Sequence, residues 1–118
     1  MDEGRNAPAA KPTIKIDDFT KINIRIGTVT NAERVPSSNK MLKLVVDFGS
    51  EKRQILTGIG QHLEPDHFIG KQMPFILNLE PRKIMGLESQ GMIIAADIAG
   101  KPVLLHPEKE VPGGTKVM

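Results

Sequence analysis

Apolar runs in this chain are short, and each is closed by a glycine, a proline or a cluster of polar turn residues. The longest, Met92 to Ala96, is five residues, against the roughly 20 that a helix needs to cross a bilayer. Runs of this length build strands more readily than helices. Many short strands punctuated by Gly and Pro restrict the chain to a small barrel or a sandwich.

A pass along the chain places the elements. Residues 1–13, with Pro8, Pro12 and three alanines, read as a disordered leader, which leaves 14–118 as the folded domain. Asp17-Asp18-Phe19-Thr20-Lys21 predicts one capped helical turn. Ile22, Ile24 and Ile26 then alternate with Asn23, Arg25 and Gly27, the period of a half-buried first strand, and Gly27 permits a bend. Val29 and Val35 continue it to the turn Pro36-Ser37-Ser38-Asn39. A second strand is expected from Met41 to Phe48 and a third from Lys52 to Thr57. Glu64 to Gly70 reads as a short helix stopped by glycine. Gln72 to Leu79 is the fourth strand and Gly91 to Ala96 the fifth. An all-β chain of five strands with a short helix between the third and fourth has the order of the five-stranded OB-fold barrel. Residues 98–118 are surplus to such a barrel. Their extended pieces, around Val103-Leu104-Leu105 and Lys116-Val117-Met118, either cover the chain's own barrel or pair with a second copy.

The 118 residues fit one domain with a modest core. Cysteine is absent, which excludes disulfide and thiolate chemistry and suits a reducing cytoplasm. The first residues lack the basic-then-apolar pattern of a signal peptide, so a soluble, cytoplasmic protein without membrane partners is expected. Net charge is only +2, but residues 21–86 hold ten Lys and Arg against six acids. A basic middle region attracts phosphate backbones, and it also describes an ordinary solvated surface.

Residues 78–92, Asn-Leu-Glu-Pro-Arg-Lys-Ile-Met-Gly-Leu-Glu-Ser-Gln-Gly-Met, carry the densest signal. A polar, basic connector is held between two apolar strands, the arrangement of an adaptable binding loop on a rigid support. This segment resembles the signature of the dimeric OB-fold tRNA-binding domains. Phe19 to Gly27 resembles that family's opening motif, and Asn39-Lys40-Met41-Leu42 its first turn. Arg53-Gln54-Ile55 with Thr57-Gly58-Ile59 resembles its third strand, and Pro112-Gly113-Gly114 its closing turn. The likeness runs from about Ile16 to Val117 and includes the domains of bacterial methionyl-tRNA synthetases, stand-alone tRNA-binding proteins and an export-linked chaperone branch. It implies a stand-alone homodimer joined through the C-terminal extension 98–118, binding tRNA by its folded shape, with an aminoacyl-tRNA synthetase as a further candidate partner. It implies neither cofactor nor catalysis. The intact Lys-x-x-Gly-x-x-Ser-x-Gly-Met stretch argues against the chaperone branch. Met85, Glu80, Asn23 and Ser37-Ser38-Asn39 depart from the family pattern.

The candidate tRNA-binding residues are Lys40, Lys43, Arg53, Asn78, Arg82, Lys83, Gly86, Ser89 and Met92. Arg82 and Lys83 offer a planar fork and a mobile point charge to phosphates. Lys43 and Arg53 are expected to serve one groove beside strands 2 and 3, with surface solubility as the competing reading; Lys40 is also a plain turn residue. Asn78 and Ser89 suit ribose hydroxyls and base edges, or else their own loop's backbone. Gly86 and Gly91 supply backbone geometry or close approach, and Met92 lies against a base or in the core.

Four phenylalanines, with no Trp or Tyr, supply too little stacking surface for a generic single-strand binder. Recognition of folded RNA needs no such platform. His62 and His67 near Glu64 and Asp66 lack metal-site spacing, so no metal is expected. Neither a phosphate-binding glycine loop nor a nucleophile elbow occurs, and no enzyme is expected. The alternative is a protein-interaction or chaperone-like module with little affinity for RNA.

Overall fold

The computed structural model describes residues 11–118. Most of the expected leader, residues 1–10, lies outside the described residues; Lys11 to Thr13 are exposed and join no element. The first helical turn, α1, is Ile16–Phe19. It opens with the Lys15 amide donating to Asp18 Oδ2 at 3.3 Å, and Thr20 Oγ1 donates back to the Asp17 carbonyl at 2.9 Å.

Five strands form the main sheet: β1 (Ile24–Arg34), β2 (Leu42–Asp47), β3 (Lys52–Thr57), β4 (Gln72–Ile76) and β7 (Met92–Ile93). Their order is β3-β2-β1-β4-β7, all antiparallel. A 3-10 helix at Pro65–His67 fills the predicted helical slot between β3 and β4. This is the curled, OB-like half-barrel expected from the sequence. β1 serves two neighbours: residues 24–28 pair with β4 and 28–34 with β2.

An irregularity in β1 lies just beyond Gly27. The register shifts between Val29 and Asn31, where a bulge turns the strand. Gly27 allows close approach: a Cβ there would run into the side chains of Val46 and Phe48.

The concave face gathers Val29, Leu42, Leu44, Val46, Ile55, Phe68, Met73 and Phe75, all fully buried. Each such side chain contributes roughly 1.5–3 kcal/mol of transfer free energy. Phe48 and Phe75 meet edge to face at 5.6 Å, so both are core residues rather than a stacking surface.

The predicted fifth strand is divided. After Met92–Ile93 the Ile94 amide donates to the Pro74 carbonyl at 3.0 Å, but Pro74 has no N–H to return the bond. The chain leaves the barrel and forms a separate ribbon, β8 (Ala95–Ile98) with β9 (Lys101–Leu104). The final residues return to their own barrel. Ile26 N–H donates to Thr115 O at 2.8 Å, Gly114 N–H to Ile26 O at 2.7 Å and Val117 N–H to Ile24 O at 2.9 Å. The turn before them passes tightly over the β2–β3 connection, since a Cβ on Gly114 would lie 2.2 Å from the Phe48 carbonyl oxygen.

Candidate nucleic-acid interface

Residues 82–89 are a β-hairpin, not a loop. β5 (Arg82–Ile84) pairs with β6 (Leu87–Ser89), and Met85 and Gly86 turn the chain at φ +53° and +81°. Two successive positive φ angles define the turn whose twist matches a hairpin. The glycine carries this geometry at little cost, and Met85 takes the first position with its side chain half exposed. Arg82 stands opposite Ser89, Lys83 opposite Glu88 and Ile84 opposite Leu87. Arg82, Ile84, Leu87 and Ser89 therefore share the hairpin's inner face, and Lys83 with Glu88 its outer face.

Side chains pin this hairpin to β3. Ser89 Oγ accepts from Leu56 N–H at 3.0 Å and donates to the Gly91 carbonyl at 3.0 Å. Gln54 and Gln90 are joined twice: Gln54 N–H donates to Gln90 Oε1 at 3.0 Å, and Gln90 N–H to Gln54 O at 2.9 Å. Gln54 Nε2 also donates to Glu88 O at 2.9 Å. These bonds join β3, one edge of the half-barrel, to β6 and to the Gln90-Gly91 link that leads into β7, the other edge.

The sequence candidates divide accordingly. Ser89 is 2% exposed and its hydroxyl is fully engaged, so it serves the fold. Asn78 likewise binds its own chain, accepting from Asn23 N–H at 2.8 Å and donating to Lys21 O at 2.6 Å. Arg53 does not share a groove with Lys43. It faces Val46 on the core side of the sheet, donates to Leu77 O at 2.7 Å and Gln90 O at 3.1 Å, and pairs with Glu51 at 2.9 Å. That hydrogen bond, and then the guanidinium charge, hold the Glu51 carboxyl below its ordinary pKa. Lys43 lies on the opposite face and pairs with Glu33 at 2.8 Å.

Arg82, Lys83 and Lys40 are exposed and form no ion pair with a described residue. Lys40 sits in the turn before β2, its carbonyl accepting from Gly60 N–H at 2.7 Å. Arg82 and Met92 meet at one cleft of about 490 Å³, walled by β3, the hairpin and the β8–β9 ribbon. Gly86 marks the hairpin tip, with nothing near its Cα on the side a Cβ would take. Sequence reasoning missed Gln54, Gln90 and the cleft residue Met41. Among the described residues no group of three or more His, Asp or Glu is placed to hold a metal ion, and no helix is long and apolar enough to cross a membrane.

A half-barrel of OB type carrying a pinned cationic hairpin on one edge strand defines the class. The family model described as "Putative tRNA binding domain" matches residues 24–116, and the chain belongs to this family. It is 52% identical over 104 residues to a methionine–tRNA ligase of Methanothrix thermoacetophila, covering 88% of this chain and 15% of that protein. It is 51% identical over 107 residues to the Archaeoglobus fulgidus methionine–tRNA ligase, covering 91% and 16%. The chain thus spans about a sixth of these relatives. Among solved structures, a MetRS-related protein from Pyrococcus horikoshii superposes with a TM-score of 0.88 at 40% identity, covering 92% of this chain and all of that one. The chaperone CsaA of Bacillus anthracis superposes at 0.82 with 32% identity, covering 91% and 100%.

Proposed function

We propose that this protein is a non-catalytic, cytoplasmic tRNA-binding homodimer that recognises the folded shape of tRNA and assists an aminoacyl-tRNA synthetase. One observation carries the reading: the hairpin that holds the family signature presents Arg82 and Lys83 exposed and without an ion-pair partner among the described residues, on a support fixed to β3 by Ser89, Gln54 and Gln90. Preorganised cations bind phosphates without first ordering a loop. Membership of the tRNA-binding family and similarity to methionine–tRNA ligases support tRNA as the ligand and a synthetase as the partner. The few aromatic side chains, with Phe48 and Phe75 in the core, favour a shape reader over a base-stacking one. The exposed Ile98 and Val103 of the ribbon support a second copy at the C-terminal extension. Titration with folded tRNA at several salt concentrations tests the reading.

A second reading, a chaperone-like module for polypeptides, is favoured by the similarity to CsaA and by the exposed Met85 and Met92 beside an apolar cleft. It requires salt-tolerant binding to unfolded chains and little affinity for RNA.

A further inference from the structure

We propose that the cleft between the 82–89 hairpin, β3 and the β8–β9 ribbon receives a single unpaired nucleobase of the bound RNA. The inference rests on the RNA-binding reading above. The cleft's volume of about 490 Å³ lies in the range of small-ligand sites. Met41, Ile84 and Met92 supply flat-packing, polarizable or aliphatic walls. Its polar groups sit at the margins. The Arg82 guanidinium is exposed at the rim, free to stack on a base or to meet its phosphate. On the ribbon side Asp97 Oδ1 accepts from the Gly100 N–H at 2.7 Å, which holds the carboxylate beside the cleft.

Pairing fixes the geometry. Ala95 lies opposite Leu104 and Asp97 opposite Pro102, so Ala95, Asp97 and Pro102 share the ribbon face that lines the cleft. A cation at the rim of an apolar slot matches a nucleotide, phosphate to the cation and flat ring to the slot. An aliphatic peptide side chain would satisfy only the walls.

The test uses the full chain labelled with 13C at its methionine methyls and a folded, unmodified tRNA transcript. Saturation is expected to shift the Met41 and Met92 methyls and leave the buried Met73 methyl in place. Ala95→Leu, which fills the cleft, is expected to weaken tRNA binding about tenfold with no change in salt slope. The methyl shifts need no variant, so misfolding of Ala95→Leu cannot hide the answer. Salt-sensitive tRNA binding with the Met41 and Met92 methyls unmoved overturns the cleft assignment and leaves the tRNA reading standing. Absent tRNA binding, with these methyls shifted by an unfolded polypeptide, overturns both.

Discussion

Ser89 Oγ takes the amide hydrogen of Leu56 at 3.0 Å although 33 positions separate the two residues. A short polar side chain thereby stands in for a strand partner, giving β3 a backbone bond that the sheet itself does not supply. The same hydroxyl fixes Gly91, the residue that leads into β7. Gly91 has little room for anything larger, since a Cβ there would meet Ile76 O at 3.0 Å and Ile55 Cδ1 at 3.1 Å. The family signature thus encodes the joint between hairpin and barrel as much as the surface offered to a ligand.

Ser89→Ala leaves the buried Leu56 N–H without an acceptor, at a cost of about 1–3 kcal/mol. A lower urea midpoint is expected, with faster amide exchange at Leu56 and Gln90. An unaltered midpoint would show that the joint contributes nothing to stability.

Lys83→Ala removes an exposed ammonium that has no ion-pair partner among the described residues, on the hairpin's outer face. Stability should stay within about 0.5 kcal/mol of the parent. The slope of log affinity for tRNA against log salt should fall by roughly one phosphate contact. Equal slopes for variant and parent would remove Lys83 from the interface.

Homodimerisation is tested at the ribbon's outer face, where Ile98 is 59% and Val103 44% exposed. Deleting residues 98–118 is a poor test, because it also strips β1 of its bonds to residues 114–117. The double variant Ile98→Glu, Val103→Glu keeps those bonds and introduces charge. Light scattering should report monomer for the variant and dimer for the parent; a dimeric variant would place the contact elsewhere.

Glu51 sets an acid-side dependence. Its folded carboxyl titrates below its unfolded value of about 4.3, because Arg53 bonds to it and attracts it. The associated stability is present above the unfolded pKa and is lost as pH falls through the lower folded pKa. Glu51→Gln should therefore flatten the fall in Tm below about pH 4, with the effect kept small by solvent exposure. Parallel Tm profiles for variant and parent would contradict the pairing.

Much of this fold was legible because its signals are local. Alternating apolar residues gave β2, β3 and the core side of β1, and Gly and Pro marked the turns. The hairpin at 82–89 was also locally encoded: Met85-Gly86 lies between Arg82-x-Ile84 and Leu87-x-Ser89, a two-residue turn with alternating flanks. The end of β7 depended on Pro74, a residue of another strand, so the run Gly91 to Ala96 looked continuous. Side-chain commitments were least legible. Asn78, Ser89 and Arg53 have the chemistry of ligand contacts, and only tertiary structure reveals that backbone groups 24 to 57 positions away engage them. Arg82 and Lys83, neighbours in sequence, point to opposite faces because the segment is a strand.

The most direct test of the central claim is a fluorescence-anisotropy titration with folded tRNA across a salt series. Heat-unfolded tRNA and a single-stranded oligomer serve as competitors. Affinity is expected to fall steeply with salt and to favour the folded molecule strongly. Absent binding, or equal binding to all three RNAs, would contradict that claim.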